Sequence, residues 1–242
     1  MVCGAIMKHA PPAPPELGTR DGLSYALFRP ESDPPAGVVI VHGADSAKES
    51  HFDFARNLRA AGLVALAYDV RGHGRSAGEF GPTAFGDVLS MCDLTREHAP
   101  AVAIRGSSMG GWQAIHAAAL DSSIAAVVAL CPAQEERLVR LLRSPDEAYE
   151  MRVDRELAKR WIADQDIFEA VTKLGPHTAL LLLHAQGDER IPCTVSKELH
   201  AAAREPKRLV IVPGGHHRSL QHDLEIQDLS RRFVLEAVGR RA

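Results

Sequence analysis

The sequence predicts an α/β protein in which a mostly parallel, doubly wound sheet carries helices on both faces. Short runs of Val, Ile, Leu and Ala alternate with longer segments of helical periodicity along most of the 242 residues. Continuous apolar runs of strand length are typical of strands buried on both faces, and their alternation with helices is typical of parallel sheets. With 45% hydrophobic and 24% charged residues, the chain has an ordinary globular composition, and we expect residues 1–242 to form a single domain.

The predicted elements follow one another at regular intervals. Residues 24–28 alternate in polarity and predict an edge strand, after a proline-rich segment at 9–16 that we expect to lie extended on the surface. The buried strands are predicted at 38–41, 64–68, 125–130, 179–183 and 209–212, with one more in the apolar run that begins at Val102. The helices are predicted at 51–61, 85–98, 113–120, 194–203 and 220–238.

The alternation breaks between residues 133 and 176. This stretch is charged, has no strand-like run, and places Leu138, Leu141 and Leu142 at helical spacing. It is too long for a simple connection, so we interpret it as a helical insertion that forms a lid. A pair of ordinary crossover helices without a covering role is the alternative.

Charge and composition exclude several classes of protein. The net charge is −3 and no basic cluster stands out, which argues against a nucleic-acid partner. No window approaches the roughly 20 apolar residues that span a bilayer, and the N-terminus lacks the pattern of a secretory signal. Four cysteines are too widely spaced for a zinc site, and we expect free thiols in a reducing cytoplasm, with a buried disulfide as the alternative. They are Cys3, Cys92, Cys131 and Cys193.

A Gly-x-Ser-x-Gly motif follows the apolar run at Val102. Gly106, Ser108 and Gly110 form the motif, and a helical segment begins directly after it. A strand, a sharp turn and a helix are what a nucleophile elbow requires, because only small residues fit two positions before and after the strained serine. The serine would stand at the positive end of a helix dipole, where a developing anion is favoured.

A serine nucleophile needs a base, and the base needs an orienting acid. Asp188 follows the predicted strand at 179–183, with Glu189 as the nearby substitute. Two imidazoles, His216 and His217, stand in a Gly-Gly-His-His turn after the last predicted strand. His217 and His222, with Asp223, could suggest a metal site. Their five-residue spacing across a loop and a helix start leaves the site without a credible third ligand, so we expect no metal site.

Four motifs in this order resemble the α/β-hydrolase fold superfamily, in particular its small bacterial serine esterases and the related serine-aminopeptidase-like and dienelactone-hydrolase-like proteins. They are His42-Gly43, the loop DVRGHGRS at 69–76, the elbow at Ser108, and Gly187-Asp188 with the terminal Gly-Gly-His-His. Together they span the chain from about residue 38 to residue 217. The resemblance implies a sheet with a lid and structural roles for His42 and His73.

The resemblance also implies a role for each candidate site residue. Ser108 attacks an acyl carbonyl, the fourth residue of the Gly-x-x-His turn, His217, relays the proton, and Asp188 orients the imidazole. His216 is the competing base. The backbone N–H groups of Met109 and Ala44 would form the oxyanion hole.

The function implied is a cofactor-independent hydrolysis of carboxylic esters with small or medium acyl groups, through an acyl-enzyme. A peptidase or an acyltransferase could use the same triad, and a non-catalytic ligand-binding protein could keep the scaffold. Dehalogenases and epoxide hydrolases of this fold are disfavoured because they carry Asp at the elbow. The only partner expected is a small acyl substrate, and the sequence assigns no oligomeric state.

Overall fold

The fold is built on one eight-stranded sheet, which a computed structural model describes together with its helices over residues 13–143 and 151–240. The strands are β1 (Glu16–Arg20), β2 (Leu23–Phe28), β3 (Gly37–Val41), β4 (Val64–Tyr68), β5 (Val102–Ser107), β6 (Ala126–Leu130), β7 (Ala179–Ala185) and β8 (Lys207–Val212). They lie in the order β1-β2-β4-β3-β5-β6-β7-β8. The pairs β1–β2 and β2–β4 are antiparallel and the other five are parallel, which confirms the predicted mostly parallel sheet.

Helices cover both faces of the sheet, as predicted for a doubly wound fold. They are α1 (Phe52–Ala60), α2 (Ala84–Arg96), α3 (Met109–Leu120), α4 (Glu135–Arg143), α5 (Arg155–Ala163), α6 (Ile167–Thr172), α7 (Thr194–Ala202) and α8 (Leu224–Gly239), with a 3₁₀ turn at Lys48–His51. The apolar residues of α1 and α8 form one buried cluster with the sheet, and those of α2 to α7 form the other. None of the helices in the described ranges has the length and apolarity needed to cross a bilayer.

Burial on both faces explains why the central strands read as continuous apolar runs. Every residue of β3, β4, β6 and β7 is buried. Each fully buried Val or Leu contributes about 1.5–3 kcal/mol relative to exposure, so these strands supply much of the folding free energy. The carboxyl ends of β3, β5, β6, β7 and β8 meet along one edge, where the loops of the predicted motifs converge.

The prediction of an edge strand at residues 24–28 is wrong, because β1 lies outside β2. Strand β1 is largely exposed and contains a glycine, so its sequence lacks the apolar alternation that marks a strand. Gly18 leaves room for the ring of Tyr25 across the pair, which would have to move if residue 18 carried a Cβ. Residues 1–12, which include Cys3 and most of the segment predicted to be extended, lie outside the described residues.

The last predicted helix begins later than its periodicity indicated. Asp223 ends the preceding loop, and its Oδ1 accepts hydrogen bonds from the N–H groups of Glu225 and Ile226 at 2.9 and 3.0 Å. This N-cap fixes the start of α8 at Leu224. The observed ends of the other helices that were predicted lie within four residues of the predicted ones.

The segment 133–176 is helical, and its described residues contain no strand. Helices α4 and α5 pack against each other, whereas α6 packs against α3 and α7 and so belongs to the layer that covers the sheet. Residues 144–150, including Tyr149, lie outside the described residues. Trp161 of α5 contacts Trp112 of α3, with ring centroids 5.4 Å apart, which fastens this segment to the main domain.

A buried ion pair holds the turn after β4 against the turn after β3. Lys48 Nζ lies 2.6 Å from Asp69 Oδ2, and both side chains are almost fully buried. Burial opposes ionisation of Asp69, but hydrogen bonds from the side chain and N–H of Lys48 and the N–H of Arg75 outweigh it. The pKa of Asp69 therefore lies below its ordinary value.

We predict that Lys48→Met lowers the free energy of unfolding at pH 7 by about 3–5 kcal/mol, because it leaves the Asp69 carboxylate buried without its cation. The measurement is urea denaturation. Since the folded pKa of Asp69 is depressed, its stabilisation is present above the unfolded pKa of about 3.9 and fades as the pH falls below it, so the difference between the two proteins should shrink there.

The matched control is Lys173→Met, which removes an exposed lysine that pairs with Glu169 at 2.8 Å. This change should cost less than about 1 kcal/mol. Equal losses in the two variants would contradict the assigned role of the buried pair.

Candidate active site

Ser108 stands at the turn between β5 and α3 with a strained backbone. Its φ is 54° and its ψ is −118°, a region that residues other than glycine rarely adopt. A Cβ at Gly106 would collide with the carbonyl of Gly110, and a Cβ at Gly110 would collide with the carbonyl of Val41. The two motif glycines therefore permit the turn in the way that the sequence predicted.

Hydrogen bonds on both sides hold Ser108 in this conformation. Its N–H donates to Leu130 O at 2.9 Å, which ties it to the end of β6. Its carbonyl accepts the N–H groups of Gly111, Trp112 and Ala133 at 3.0–3.1 Å. Because both its N–H and its carbonyl are bonded, the strained geometry is fixed before any ligand arrives.

The loop after β3 approaches the serine closely. Gly43 is so near that a Cβ would lie 3.1 Å from Ser107 O and 3.2 Å from Ser108 Cβ. His42 orients this loop, since its Nδ1 lies 2.7 Å from Gly43 O and its Nε2 accepts the N–H of Val70 at 2.9 Å.

Burial lowers the pKa of His42 to about 3, so its ring is neutral and its Nδ1–H donates to Gly43 O. Its structural role agrees with the prediction. The neighbouring His73 is also buried, and its ring packs edge-on against that of His42.

Asp188 and His217 meet from two different loops. His217 Nδ1 lies 2.7 Å from Asp188 Oδ2, and the histidine lines the same cleft as Ser108. The loops are pressed together at glycines, with the N–H of Gly187 donating to Gly214 O at 2.9 Å. Because its Nδ1 faces the acid, the imidazole keeps its Nε2 available for a second partner.

The carboxylate of Asp188 is held in its charged form. Burial disfavours the charge, but hydrogen bonds from His184, His217 and the N–H of Ile191 outweigh burial. The pKa of Asp188 therefore lies well below its ordinary value. The N–H groups of Arg190 and Ile191 donate to Oδ1 at 2.8 and 2.9 Å, which leaves Oδ2 to face His217.

Two residues beside this carboxylate were missed by sequence reasoning. His184 Nε2 lies 2.9 Å from Ile191 O and 3.4 Å from Asp188 Oδ2, and its Nδ1 contacts Ser196 Oγ at 2.7 Å. Cys131 stands directly after β6 with a φ of 43°, and burial together with the nearby acid raises the pKa of its thiol. The sequence did offer one signal for them: each is a polar residue within or directly after a buried apolar strand. Because parallel strands β6 and β7 end at the same edge of the sheet, such residues are candidates for the site.

Cys131, Asp188 and His217 are also residue types that ligate metals, and their ligand atoms lie within 4.8 Å of one another. A metal ion sits about 2.0–2.3 Å from each ligand, whereas the acid and the imidazole are in direct hydrogen-bond contact. We therefore assign the cluster to orienting the imidazole.

The alternative residues occupy other positions. His216 is exposed, and its ring accepts the N–H of Arg218 at 3.3 Å. Glu189 accepts the N–H of His217 at 3.0 Å, so it supports the backbone of the loop and not the imidazole. His222 Nδ1 lies 2.8 Å from Asp53 Oδ2, so its partner is not one of the residues considered with it as metal ligands.

The cleft has apolar and cationic walls. Counted with its open mouth, it holds about 740 Å³, and Ser108, Ala44 and His217 line it. Helix α4 supplies Leu138 and Leu141 to its wall, so part of the segment 133–176 borders the site. Met109 begins α3 directly behind Ser108, and its N–H is one of the helix N-terminal groups without an intrahelical acceptor.

The guanidinium-bearing residues of the cleft come from three separate elements. They are Arg137, Arg190 and Arg218. No sequence pattern pointed to this group, because its members meet only in the folded chain.

Comparison with known proteins identifies relatives of this chain and solved structures with a similar fold. The chain is 25% identical over 251 residues to the uncharacterized protein YfhR of Escherichia coli O157:H7, covering 93% of this chain and 81% of that one. Its fold is similar to Est1E of Butyrivibrio proteoclasticus, solved with ferulic acid (TM-score 0.77, 22% identity, 93% and 99% of the two chains covered). It is also similar to the monoacylglycerol lipase of Paleococcus ferrophilus (TM-score 0.69, 22% identity, 90% and 98% covered).

The profile of the family described as serine aminopeptidase, S33, matches residues 32–165, which is more than half of the chain. This match includes the loop after β3, the turn after β4 and the elbow at Ser108. The topology around them is that of the α/β-hydrolase fold, as the resemblance implied. The chain therefore belongs to the serine aminopeptidase S33 family of α/β hydrolases.

Proposed function

We propose that this hydrolase is a serine carboxylesterase that cleaves esters of small or medium acyl groups. The observation that carries the proposal is the 2.7 Å contact between His217 and Asp188 at a cleft that also exposes the strained Ser108. Ser108 attacks the acyl carbonyl while His217 accepts its proton and then returns it to the leaving alcohol. Water, activated by the same imidazole, then hydrolyses the acyl-enzyme.

In this proposal Asp188 orients the imidazole of His217 and stabilises its charged form. Its charge stabilises the imidazolium that forms during the attack, and its hydrogen bond fixes the tautomer in which Nε2 can accept a proton. The depressed pKa of Asp188 keeps that charge at neutral pH. His184 and Cys131 hold the carboxylate in position.

The oxyanion of the tetrahedral intermediate is assigned to the N–H groups of Met109 and Ala44. Met109 begins α3 and Ala44 follows Gly43 in the loop that approaches Ser108. Both groups belong to backbone that is fixed beforehand, as electrostatic stabilisation of a transition state requires. The reaction needs no cofactor or metal.

We propose that the segment 133–176 acts as a lid within a single domain of residues 1–242. Its α4 supplies the wall of the cleft, whereas α6 covers the sheet. Cys92, Cys131 and Cys193 are free thiols, which agrees with a cytoplasmic location.

The charge of the cleft favours an ester over the amino-terminal peptide named in the family description. An aminopeptidase must hold the cationic ammonium of its substrate, for which a carboxylate is the natural partner. Arg190 and Arg218 line the cleft, and Asp45 is its one lining carboxylate among the described residues. Like charges across a binding site are unfavourable, so this lining disfavours a cationic substrate.

We predict that Ser108→Ala lowers kcat for p-nitrophenyl esters by at least about 10³-fold, because no other hydroxyl occupies the strained turn. Ser107→Ala is the matched control. The Ser107 hydroxyl is buried and contacts no hydrogen-bond partner in the described part of the chain, so its loss should change kcat by less than about threefold. Equal effects of the two substitutions would remove Ser108 from the mechanism.

A second prediction distinguishes the two neighbouring histidines. His217→Gln should lower kcat by about 10³-fold or more, whereas His216→Gln should stay within a few-fold of the wild type, because of these two histidines His217 is the one that contacts Asp188. Steady-state kinetics and circular dichroism on both variants provide the measurement. A large loss in the His216 variant alone would assign the base to His216.

A further inference from the structure

One carboxylate fastens the beginning of α4 to the main domain. Glu135 is the first residue of α4, and its Oε1 accepts the Nε1–H of Trp112 at 2.6 Å and the N–H of Ile167 at 2.9 Å. The same oxygen lies 3.3 Å from His116 Nε2. Trp112 and His116 are one turn apart on α3, and Ile167 begins α6, so Glu135 joins α4 to two other helices.

The side chains around Glu135 are themselves held in place. Trp112 is fully buried, and its ring centroid lies 4.9 Å from that of Phe85. The His116 ring stacks on the same phenylalanine, with centroids 4.5 Å apart and 8° between the ring planes. The side chain of Glu135 is 12% exposed, so water competes weakly for its hydrogen bonds. Hydrogen bonds to a carboxylate are stronger than those between neutral groups, and here they join groups that are already ordered.

These contacts also fix the start of α4 relative to the nucleophile. Trp112 follows Ser108 by four residues, and its N–H donates to Ser108 O at 3.1 Å. The N–H of Ala133, two residues before Glu135, donates to the same carbonyl at 3.1 Å. The start of α4 is therefore positioned against the Ser108 turn twice, through the backbone at Ala133 and through the side chain of Glu135.

Helix α4 connects Glu135 to the wall of the cleft. Leu138 and Leu141 lie three and six residues after Glu135, and both line the cleft together with Ser108. Leu138 also belongs to the buried apolar cluster that contains Trp112, whereas Leu141 belongs to neither of the two buried clusters of the described residues. Leu141 is therefore the leucine whose substitution changes the cleft with less disturbance of the core.

We propose that Glu135 is a positioning residue for acyl specificity: it sets the distance between Ser108 and Leu141, the apolar side chain against which the acyl chain of the ester packs. This inference rests on the proposed esterase function and names what determines its acyl length. Without the Glu135 contacts, α4 can shift relative to α3, and apolar contact with a medium-length acyl chain is weakened. An acetyl group reaches less of this wall, so its hydrolysis depends less on Glu135.

The test compares p-nitrophenyl hexanoate with p-nitrophenyl acetate, which share a leaving group and differ in acyl length. We expect Glu135→Ala to lower the ratio of the hexanoate to the acetate kcat/KM by about three- to tenfold, mainly by raising the KM for the hexanoate ester. Glu135→Gln should stay within about twofold of the wild-type ratio, because its amide oxygen can still accept the N–H groups of Trp112 and Ile167.

The matched control is Glu136→Ala, which removes the neighbouring exposed carboxylate of α4, outside the lining of the cleft. This substitution should leave the ratio unchanged. Trp112→Phe removes the Nε1–H donor but keeps an aromatic ring, so it tests the same contact if Glu135→Ala does not fold. It should also lower the ratio, and circular dichroism checks the folding of every variant.

A double substitution shows whether Glu135 acts through Leu141. Leu141→Ala should itself lower the ratio by about three- to tenfold, because it removes the apolar contact. Adding Glu135→Ala to this variant should lower the ratio by less than about twofold further, because the side chain that Glu135 positions is gone.

The outcomes separate this inference from the proposed function. If the wild type hydrolyses both esters in a Ser108-dependent manner but Glu135→Ala lowers both rates equally, the esterase proposal stands and the specificity role of Glu135 is overturned. Fully additive effects of the Glu135 and Leu141 substitutions, or an unchanged ratio in Trp112→Phe, also overturn it. If the wild type turns over neither ester, the esterase function fails and the role of Glu135 fails with it.

Discussion

The rest of the site depends on the strained turn at Ser108. A residue with a Cβ is held at a φ of 54°, which costs of order 1–3 kcal/mol and persists only where the surroundings over-determine it. Here the N–H is bonded to β6, and the carbonyl accepts N–H groups from α3 and from the start of the segment 133–176. The parallel sheet places those hydrogen-bond partners at one edge. The conformation of Ser108 therefore depends on the packing of the sheet itself.

Asp188 and His217 lie at the same carboxyl edge of the sheet as Ser108. Asp188 follows β7 and His217 follows β8, and these strands are neighbours with parallel register. Their loops are therefore adjacent without any long excursion of the chain. The close approach at Gly187 and Gly214 brings the two side chains into direct contact, and His184 and Cys131 fix the carboxylate from behind.

The sequence predicted the parts of the fold that follow from local pattern. Buried strands such as β4 were found because burial on both faces leaves a continuous apolar run. The sharp turn at Ser108 was predicted because close backbone approach there requires glycines on both sides. Strand β1 was missed because its exposed residues carry no alternation, and that omission wrongly made residues 24–28 an edge strand.

Features that depend on contact between distant residues could not be predicted. Cys131 follows β6 and His184 lies in β7, so the local sequence marks a polar residue near the end of each strand but does not show that both lie beside Asp188. The choice between His216 and His217 as the partner of the acid likewise required the geometry of the loop. The same holds for the arginines of the cleft, which lie up to 81 positions apart in the sequence (Arg218 minus Arg137). Periodicity placed helices in the segment 133–176 but did not show that α6 covers the sheet while α4 borders the cleft.

The proposed function requires that Ser108 is a nucleophile activated by His217 and Asp188. Reaction of the whole protein with a fluorophosphonate, followed by peptide mass spectrometry, tests it most directly because the reagent requires an activated serine and no knowledge of the substrate. We expect rapid labelling of one site per chain, with the adduct on Ser108. Absence of labelling, or an adduct on Ser107 or another residue in place of Ser108, would contradict it.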